Sequence, residues 1–325
     1  MNVLVLSHDD VVRLLPMAAC IEVMADALRT TNRGGAVLPL RSVVWKPDRS
    51  GMIGLMPGFL EPPTSLGLKV VSIFPGNHGT GFDSHQGVVM LFEPRHGSPL
   101  AIIDASSITA IRTAAVSAVA TRALARDDAG DLAILGSGVQ AATHLAAMRA
   151  VRSIRRVRVW SRSPANAQRF ADQAGIAVEV VATPRAAVEG ADLICTTTAS
   201  REPVLEGSWL APGAHINAAG ACFATARELD TAAVARARLV VDRMESALAE
   251  SGDFLLARQD GAIGDDHILG ELGDLLLERF TARRGADDVT LFKSLGIAVE
   301  DLAAAHYVYS QAIARGGGVS VPLGA

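Results

Sequence analysis

The sequence is poor in cysteine and contains no long apolar run. Its three cysteines, Cys20, Cys195 and Cys222, are odd in number and far apart, so they provide neither a disulfide framework nor a CxxC zinc pattern. No stretch reaches the ~20 apolar residues of a membrane span. The apolar N-terminal segment lacks the basic flank of a signal peptide. These absences predict a reducing, cytoplasmic location without membrane association.

Strong net charge and several common catalytic motifs are also missing. The formal net charge is −4, so overall charge does not favour nucleic acid or an acidic membrane surface. The eight histidines show no HxxH or HxxxH spacing, which predicts that no metal is bound. A GxxxxGK[ST] phosphate loop and a GxSxG elbow are absent, which argues against an ATPase, a kinase or a serine hydrolase.

What the sequence does contain is a dinucleotide-binding turn. The apolar run 132–135 leads into Gly136-Ser137-Gly138-Val139-Gln140-Ala141, and an alanine-rich helical pattern follows. The first glycine makes the tight turn, the second lets the backbone approach a pyrophosphate, and Ala141 lets the helix pack closely on the strand. The helix N-terminus would present N–H groups to the phosphates. An ordinary strand-to-helix loop is the alternative.

The length of 325 residues favours two domains, and the pattern of elements changes between them. Consecutive strands with short connections predict an antiparallel or mixed sheet early in the chain: 37–45, 52–56, 66–74, 87–92 and 100–104. From Asp131 onward, strands and helices alternate, which predicts a parallel, doubly wound sheet. The fold class is therefore α/β, with a Rossmann-type sheet (119–299) inserted into an α+β domain (1–118 and 300–325).

Helices are predicted at both ends of the first domain. Ser7-His8-Asp9-Asp10 has the form of a capping box, and Pro16 should split the helical pattern that follows. An alanine-rich helix, 107–126, should link the domains. Further helices are expected at 164–174, 184–189, 228–235 and 271–280, and a last helix at 299–315 should return to the first domain.

The end of the second Rossmann strand indicates which cofactor is bound. NAD sites usually have an acidic residue there that binds the ribose 2′-OH, whereas this strand ends Trp160-Ser161-Arg162-Ser163. Arg162 could stack on adenine and pair with a 2′-phosphate, and the two serines could donate hydrogen bonds. The sequence therefore favours NADP(H), with NAD(H) possible. A surface loop with one solvated arginine is the alternative.

Three cations mark a possible substrate site. Arg41 and Lys69 lie within predicted apolar strands, where a buried charge is costly without an anion. The carboxylate of a small substrate would supply that anion, and Arg112 is the third candidate. Lys69 is also the candidate for supplying or relaying a proton in catalysis. Each cation could instead point to solvent from the polar face of its element.

Further motifs are spread over nearly the whole chain. They are Pro39-Leu40-Arg41, Met56-Pro57-Gly58, Gly67-x-Lys69, Gln86-Gly87, Pro99-Leu100-Ala101-Ile102-Ile103-Asp104, Thr109-x-x-Arg112-Thr113-Ala114-Ala115, Arg227-Glu228-Leu229, Glu250-Ser251-Gly252-Asp253 and Leu291-Phe292-Lys293-Ser294-Leu295-Gly296. Together with the glycine turn they resemble the ornithine cyclodeaminase/mu-crystallin family. The combination is far more specific than the turn alone.

The resemblance implies a homodimer in which the Rossmann domain is inserted into a substrate-binding and dimerisation domain. It implies that Arg41 and Lys69 hold the substrate carboxylate, and that Ser84 and Arg112 face the cofactor. The other implied cofactor residues are Gly136, Ser137, Gly138, Val139 and Gln140 around the pyrophosphate, Ser161 at the ribose, Thr198 at the dinucleotide edge, Ser294 at the nicotinamide amide, and Thr113 and Gly220 within the shared motifs.

The residue at position 221 distinguishes between two activities that the resemblance to this family allows. Cyclodeaminases are expected to have an aspartate directly after the turn Ala218-Ala219-Gly220, where its carboxylate acts on the substrate amine. Here the residue is Ala221. Without that carboxylate, cyclisation loses its acid/base group. The resemblance is therefore closer to the ketimine reductase branch, which commonly uses NADPH.

The sequence thus predicts an NAD(P)H-dependent reductase of a small cyclic ketimine carboxylate, such as Δ1-pyrroline-2-carboxylate or Δ1-piperideine-2-carboxylate. Hydride would pass to the C=N carbon and give the L-amino acid. Three alternatives remain open: an ornithine cyclodeaminase, a dehydrogenase of alanine or an N-alkyl amino acid, and a non-catalytic NADPH- and ligand-binding protein.

Overall fold

The structure is a computed structural model that describes residues 2–77 and 79–323. The chain divides into two compact units, Met1–Arg112 with Ile297–Ala325, and Thr113–Gly296. The second unit is an insertion in the sequence of the first. In the described part of the chain, no helix has the length and apolar character needed to cross a membrane.

The first unit contains an eight-stranded, mainly antiparallel sheet. Its strands, numbered in chain order, are β1 (Asn2–Leu6), β2 (Ala36–Val37), β3 (Ser42–Trp45), β4 (Met52–Leu60), β5 (Ser65–Ile73), β6 (His85–Phe92), β7 (Pro99–Asp104) and, after the inserted unit, β16 (Val319–Pro322). The order is β16-β1-β7-β6-β5-β4-β2, and β3 also pairs with β4. Strands β1 and β7 run parallel. The predicted antiparallel or mixed sheet is confirmed.

Three helices belong to this unit: α1 (His8–Leu14), α2 (Met17–Asn32) and α11 (Ala298–Arg315). Ser7 and Asp10 form the predicted capping box, and Pro16 separates α1 from α2. Helix α11 lies close to the sheet because Gly58 and Gly67 face each other on β4 and β5 below Leu302. A side chain at Gly67 would collide with the Met90 carbonyl oxygen.

One predicted strand of the first unit is wrong. The segment 37–45 does not form a single strand but is divided between β2 and β3. Pro39 lies in the gap, where it removes a backbone donor and fixes φ, so ladder pairing cannot continue through it. Arg41 therefore precedes β3 and is half-buried. The short strands β1 and β16 were not predicted.

The second unit contains an eight-stranded parallel sheet. Its strands are β8 (Asp131–Leu135), β9 (Arg156–Trp160), β10 (Glu179–Val180), β11 (Leu193–Thr196), β12 (His215–Ala218), β13 (Arg238–Val241), β14 (Ile268–Glu271) and β15 (Thr290–Lys293). The order is β10-β9-β8-β11-β12-β15-β13-β14, with parallel pairing throughout the described ladder. The predicted doubly wound sheet is confirmed. The order reverses between β8 and β11, which is where such sheets bind nucleotides.

Eight helices accompany this sheet. They are α3 (Ala105–Leu124), which begins in the first unit, α4 (Val139–Val151), α5 (Pro164–Gln173), α6 (Pro184–Val188), α7 (Thr231–Arg236), α8 (Met244–Glu250), α9 (Gly252–Gln259) and α10 (Leu272–Leu276). The predicted helix 271–280 is present but shorter, as α10, because β14 extends to Glu271 and the backbone leaves the helical region by Glu278, where φ is +58°. The predicted helix at 228 begins instead after its Asp230 cap.

Candidate active site

In the first unit, charged side chains from β5, α3 and α11 meet in a buried group that we call the Lys69 cluster. Lys69 Nζ lies 2.7 Å from Asp301 Oδ2 and 3.4 Å from Thr109 Oγ1. Arg112 donates from Nη1 to Glu300 Oε2 at 2.7 Å and from Nε to Asp301 Oδ1 at 2.8 Å. The four charged side chains are at most 4% exposed.

Local structure brings these side chains together. On β5, residues alternate between the two faces of the sheet, and Lys69 points to the buried face that Gly67 also occupies. Thr109 and Arg112 are three residues apart on α3, so they share one helix face. Glu300 and Asp301 lie in the first turn of α11, where the helix dipole stabilises negative charge.

The surroundings of Lys69 lower the pKa of its ammonium group. Burial lowers the pKa of Lys69 to about 8, with Arg112 and Arg41 adding to the effect and Asp301 opposing it. For Asp301, burial raises the pKa, but the adjacent Arg112 and Lys69 outweigh burial and hold it below the usual value. Lys69 can therefore exchange a proton close to neutral pH, which is the property that a general acid requires.

Two expectations about these cations need correction. Lys69 is buried, as expected, but its counter-ion is Asp301 of the protein, so its burial does not by itself require a substrate anion. Arg112 likewise has two carboxylate partners within the protein. Arg41 is not part of a strand, although its charge contributes to the pKa of Lys69. Ser84 precedes β6, and its hydroxyl lies 3.0 Å from His85 Nδ1.

The acidic half of this cluster, Glu300 and Asp301, was not predicted from the sequence. Glu300 and Asp301 are fully buried, whereas adjacent acidic residues in a helix are usually solvated. A signal was present: the surrounding window 295–305 is otherwise apolar on every side, so no polar helix face exists for the two carboxylates. Buried acidic residues of this kind need cationic partners, and Lys69 and Arg112 supply them.

In the second unit, the glycine turn has the geometry of a phosphate site. Gly136 has φ of +117°, and a Cβ there would lie 2.7 Å from the Thr197 carbonyl oxygen, so only glycine fits. A Cβ at Gly138 would meet nothing within 4 Å, and no side chain caps α4. The N–H groups of the first turn can therefore receive an anion. Val139 is 70% exposed beside them.

The end of β9 lies next to this turn. Ser137 Oγ donates to Ser161 Oγ at 2.9 Å, which joins the glycine turn to the strand end. Arg162 is exposed, and Ser163 caps α5 by accepting a hydrogen bond from the Asn166 amide. A cation and two hydroxyl groups thus follow β9, and that end of the described strand carries no carboxylate.

The buried carboxylate of Glu228 joins the ends of β11 and β12. These strands lie beyond the point between β8 and β11 where the strand order reverses. Glu228 Oε1 accepts from the Thr198 amide at 2.6 Å and from Thr198 Oγ1 at 2.7 Å. Glu228 Oε2 accepts from Thr196 Oγ1 and from the Gly220 amide, both at 2.8 Å. Both polar donors of Thr198, predicted to lie at the dinucleotide edge, are therefore committed to Glu228.

A second buried lysine, Lys293 on β15, lies next to the loop that follows β12. Lys293 Nζ is 3.0 Å from Asp253 Oδ2 and donates to the Ala221 carbonyl at 2.6 Å. Burial lowers the pKa of Lys293, but Asp253, Cys222 and Glu228 outweigh burial and raise it above the usual value. We call Glu228, Asp253 and Lys293 the Glu228 cluster. These residues were predicted only as members of the shared motifs, although Lys293, like Lys69, is a lysine inside an apolar strand.

The remaining predicted cofactor residues are buried in the second unit. Ser294 is 2% exposed, and its Oγ has no hydrogen-bond partner among the described residues. Thr113 is 8% exposed on α3. The open glycine turn and the buried hydroxyl of Ser294 fit a dinucleotide. Within residues 2–77 and 79–323, no group of three or more His, Cys, Asp or Glu side chains could hold a metal ion.

Comparison with known proteins gives a consistent result. The profile of the ornithine cyclodeaminase/mu-crystallin family matches residues 1–316. Ketimine reductase mu-crystallin of Mus musculus is 44% identical over 276 residues, which cover 85% of each chain.

Solved structures are similar over nearly the full length. Δ1-pyrroline-2-carboxylate reductase of Thermococcus litoralis, solved with NADH and L-proline, has a TM-score of 0.95 at 38% identity and covers 98% of this chain and 100% of its own. An archaeal alanine dehydrogenase, solved as a dimer with bound NAD, has a TM-score of 0.93 at 30% identity and covers 99% of both chains.

Proposed function

This chain belongs to the ornithine cyclodeaminase/mu-crystallin family, and we propose that it reduces a small cyclic ketimine carboxylate to the L-amino acid. It is an NAD(P)-dependent oxidoreductase that acts on C=N or CH–NH bonds. The proposed substrates are Δ1-pyrroline-2-carboxylate and Δ1-piperideine-2-carboxylate. The similarity to a ketimine reductase and to a pyrroline-2-carboxylate reductase supports this substrate class.

The observation that carries the proposal is the buried ammonium of Lys69. A protonated imine accepts hydride better than a neutral one, so the reaction needs an acid that is charged near neutral pH. Lys69, with a pKa of about 8, meets that requirement, and Asp301 holds its Nζ at 2.7 Å. An ordinary surface lysine would retain its proton too strongly to serve as an efficient donor.

The remaining steps follow from the charges of the first unit. The charge of Arg41 acts on Lys69 and lowers its pKa, so a carboxylate held between these two cations would be stabilised by both charges. We assign that position to the substrate carboxylate, held by Arg41 and Lys69. Lys69 would then deliver or relay a proton to the imine nitrogen. A reduced nicotinamide, when bound, supplies the hydride that the imine carbon accepts.

A cyclodeaminase is the main competing function, and position 221 argues against it. The family resemblance implies an aspartate there for cyclisation, whereas Ala221 is 3% exposed and offers its carbonyl to Lys293. An alanine or N-alkyl amino acid dehydrogenase would use the same cations, since its product also carries a carboxylate. A non-catalytic ligand-binding protein would not need an acid with a pKa near neutral.

A substrate panel tests these functions together. NADH and NADPH oxidation should be followed with the two cyclic imines and with pyruvate plus ammonia or methylamine, and ammonia release should be measured with ornithine. We expect nucleotide oxidation with at least one cyclic imine, the matching L-amino acid as product, and no ammonia from ornithine. Oxidation only with pyruvate and an amine, or ammonia release from ornithine, would contradict the proposal.

We further propose that NADP(H) is the preferred cofactor, because Arg162 is exposed directly after β9 beside Ser161 and Ser163. Arg162→Ala should weaken NADPH binding by about 1.5–3 kcal/mol, the value of a charge-assisted hydrogen bond, and should leave NADH binding nearly unchanged. Fluorescence titration with both nucleotides measures the difference. Equal weakening of both would show that Arg162 does not bind a 2′-phosphate.

We also propose that the first unit forms a homodimer through the sheet face opposite α11. Val44 and Ile53 are paired on that face and are 64% and 45% exposed. Leu55 and Phe59 lie on the same face of β4 and are only partly buried. A second copy is the proposed occupant, because the similar alanine dehydrogenase is a dimer. Light scattering should give twice the chain mass, and Ile53→Lys should lower it; a monomeric wild type would contradict the proposal.

A further inference from the structure

The carboxylate of Glu228 lies in one of the two mononucleotide-binding halves of the doubly wound sheet. In a doubly wound sheet of this order, the strands β8, β9 and β10 form one mononucleotide-binding half, and β11, β12 and β15 form the other. The glycine turn and Arg162 belong to the first half. Glu228 bonds to the ends of β11 and β12, which belong to the second half, where the nicotinamide nucleotide binds.

We propose that Glu228 is a positioning residue for the nicotinamide half of the nucleotide site, because its carboxylate joins the loop after β11 to the loop after β12. The inference rests on the proposed nucleotide site and adds the residue that sets its second half. Two backbone amides, of Thr198 and Gly220, reach different oxygens of the same carboxylate. A backbone amide can only donate, so both oxygens must accept for the two loops to keep their separation.

The packing around the carboxylate is tight at Gly220. A Cβ at Gly220 would collide with Glu228 Oε1 and with the Thr198 carbonyl oxygen. The two loops therefore approach each other as closely as glycine permits, with Glu228 between them. Glu228 is fully buried, so water cannot replace a lost acceptor without entering the core.

Glu228 is itself held in place from below. Its backbone amide and that of Leu229 donate to Asp253 Oδ1 at 2.8 and 2.9 Å. Asp253 Oδ2 pairs with Lys293, which also holds the Ala221 carbonyl of the loop after β12. The backbone at residue 228 is thus fixed, so a change in its side chain must be absorbed by the two loops rather than by movement of Glu228.

The disturbance should remain in the second half of the site. Thr197, the neighbour of Thr198, is anchored separately on β8, because its amide donates to the Leu135 carbonyl at 2.9 Å. The glycine turn itself is fixed by the Gly136 amide, which donates to the Trp160 carbonyl at 2.8 Å. Neither bond involves Glu228. A ligand that occupies only the adenosine half should therefore bind with unchanged affinity when residue 228 is substituted.

Calorimetric titration of Glu228→Gln with NADH and with ADP-ribose, which lacks nicotinamide, tests this inference. Glutamine has nearly the same size as glutamate, but an NH2 group replaces one carboxylate oxygen. A hydrogen-bond donor would then face a backbone N–H group, which also donates. We expect the Kd for NADH to rise about tenfold and the Kd for ADP-ribose to stay within about twofold of wild type. Equal weakening of both ligands would indicate a general structural role, and unchanged NADH binding would also overturn the proposal.

A milder variant covers the case in which Glu228→Gln does not fold. Thr196→Val removes one hydroxyl donor to Oε2 and leaves the Gly220 amide in place. We expect about a threefold rise in the Kd for NADH and no change for ADP-ribose. Wild-type protein that binds neither ligand would refute the proposed nucleotide site itself. Wild-type binding of both, with unchanged NADH affinity in the variants, would refute only the role of Glu228.

Discussion

The two units each bury a lysine, and the pKa values of these lysines shift in opposite directions. The chain has only three lysines, and the third, Lys46, is exposed. Burial lowers the pKa of Lys69 to about 8, and the nearby Arg112 and Arg41 reinforce it. Burial also acts on Lys293, but Asp253 and Glu228 outweigh it and raise the pKa. Burial alone therefore does not decide the direction in which the pKa of a buried lysine shifts.

The difference between the two clusters lies in their charge balance. Lys69 shares its carboxylate, Asp301, with Arg112, so the lysine receives only part of that negative charge. Lys293 has Asp253 as its partner, a second carboxylate nearby and two backbone carbonyls as acceptors. Lys69 can therefore exchange a proton during a reaction, whereas Lys293 serves as a fixed structural charge. Substitutions of the two lysines and of Asp301 test this contrast.

The largest effect on stability should come from Lys293→Met. The substitution keeps the side-chain volume but leaves Asp253 buried without its cation and the Ala221 carbonyl without its donor. Breaking a buried ion pair of this kind costs about 3–5 kcal/mol. Urea denaturation at neutral pH measures the free energy of unfolding. Lys46→Ala, which removes only exposed contacts with Asp48 and Ser50, is the control and should change the free energy of unfolding by less than about 0.5 kcal/mol.

Lys69→Ala should lower activity more than stability. Asp301 keeps Arg112 as a partner after the substitution, so the remaining carboxylate is not left without a cation. Loss of a proton donor should reduce kcat/KM by about 10²-fold or more. Steady-state assays with the preferred imine, together with urea denaturation, separate the two effects. A variant with wild-type kcat/KM would remove Lys69 from the mechanism.

The pH dependence gives the smallest and most specific effect. Lys69 with a pKa of about 8 loses its proton above that pH, so kcat/KM should fall as the pH rises through about 8. Asp301 raises the pKa of Lys69, so Asp301→Asn should move this decline to lower pH by about one unit. Lys69→Arg stays protonated and should lack the decline, while any titration of the substrate itself persists. A decline unchanged in both variants would assign it to another group.

Linkage predicts an opposite effect of the two lysines on stability at alkaline pH. The folded-state pKa of Lys69 is lowered from 10.5 to about 8, so its unfavourable contribution is relieved as pH rises between those values. The folded-state pKa of Lys293 is raised above 10.5, so its stabilising contribution is full below pH 10.5 and is lost as pH rises further.

Most of the second unit could be predicted because its signals are local. The glycine turn and the alternation of strands and helices each depend on a few neighbouring residues. The strands that were missed depend on long-range structure. Strand β1 is short and pairs with β16 and with β7, both of which lie far away in sequence.

The candidate site was only half predictable. Lys69 was identified because a charge inside an apolar strand is unusual, and the same signal was present at Lys293. The acidic partners were missed, because which carboxylate neutralises which cation depends on elements brought together across the fold. Asp301 and Lys69 are separated by more than two hundred residues in sequence, with the whole inserted unit between them.

By itself, the sequence determined the glycine turn and the doubly wound sheet, and it marked Lys69 as a charge within an apolar strand, since backbone conformation and hydrophobic periodicity act over short stretches of chain. The tertiary structure alone decided the sign of each lysine's pKa shift and the role of Glu228. Those properties depend on distances of about 3 Å between charged and polar atoms from different elements, because electrostatic interactions in a buried site change strongly over such distances.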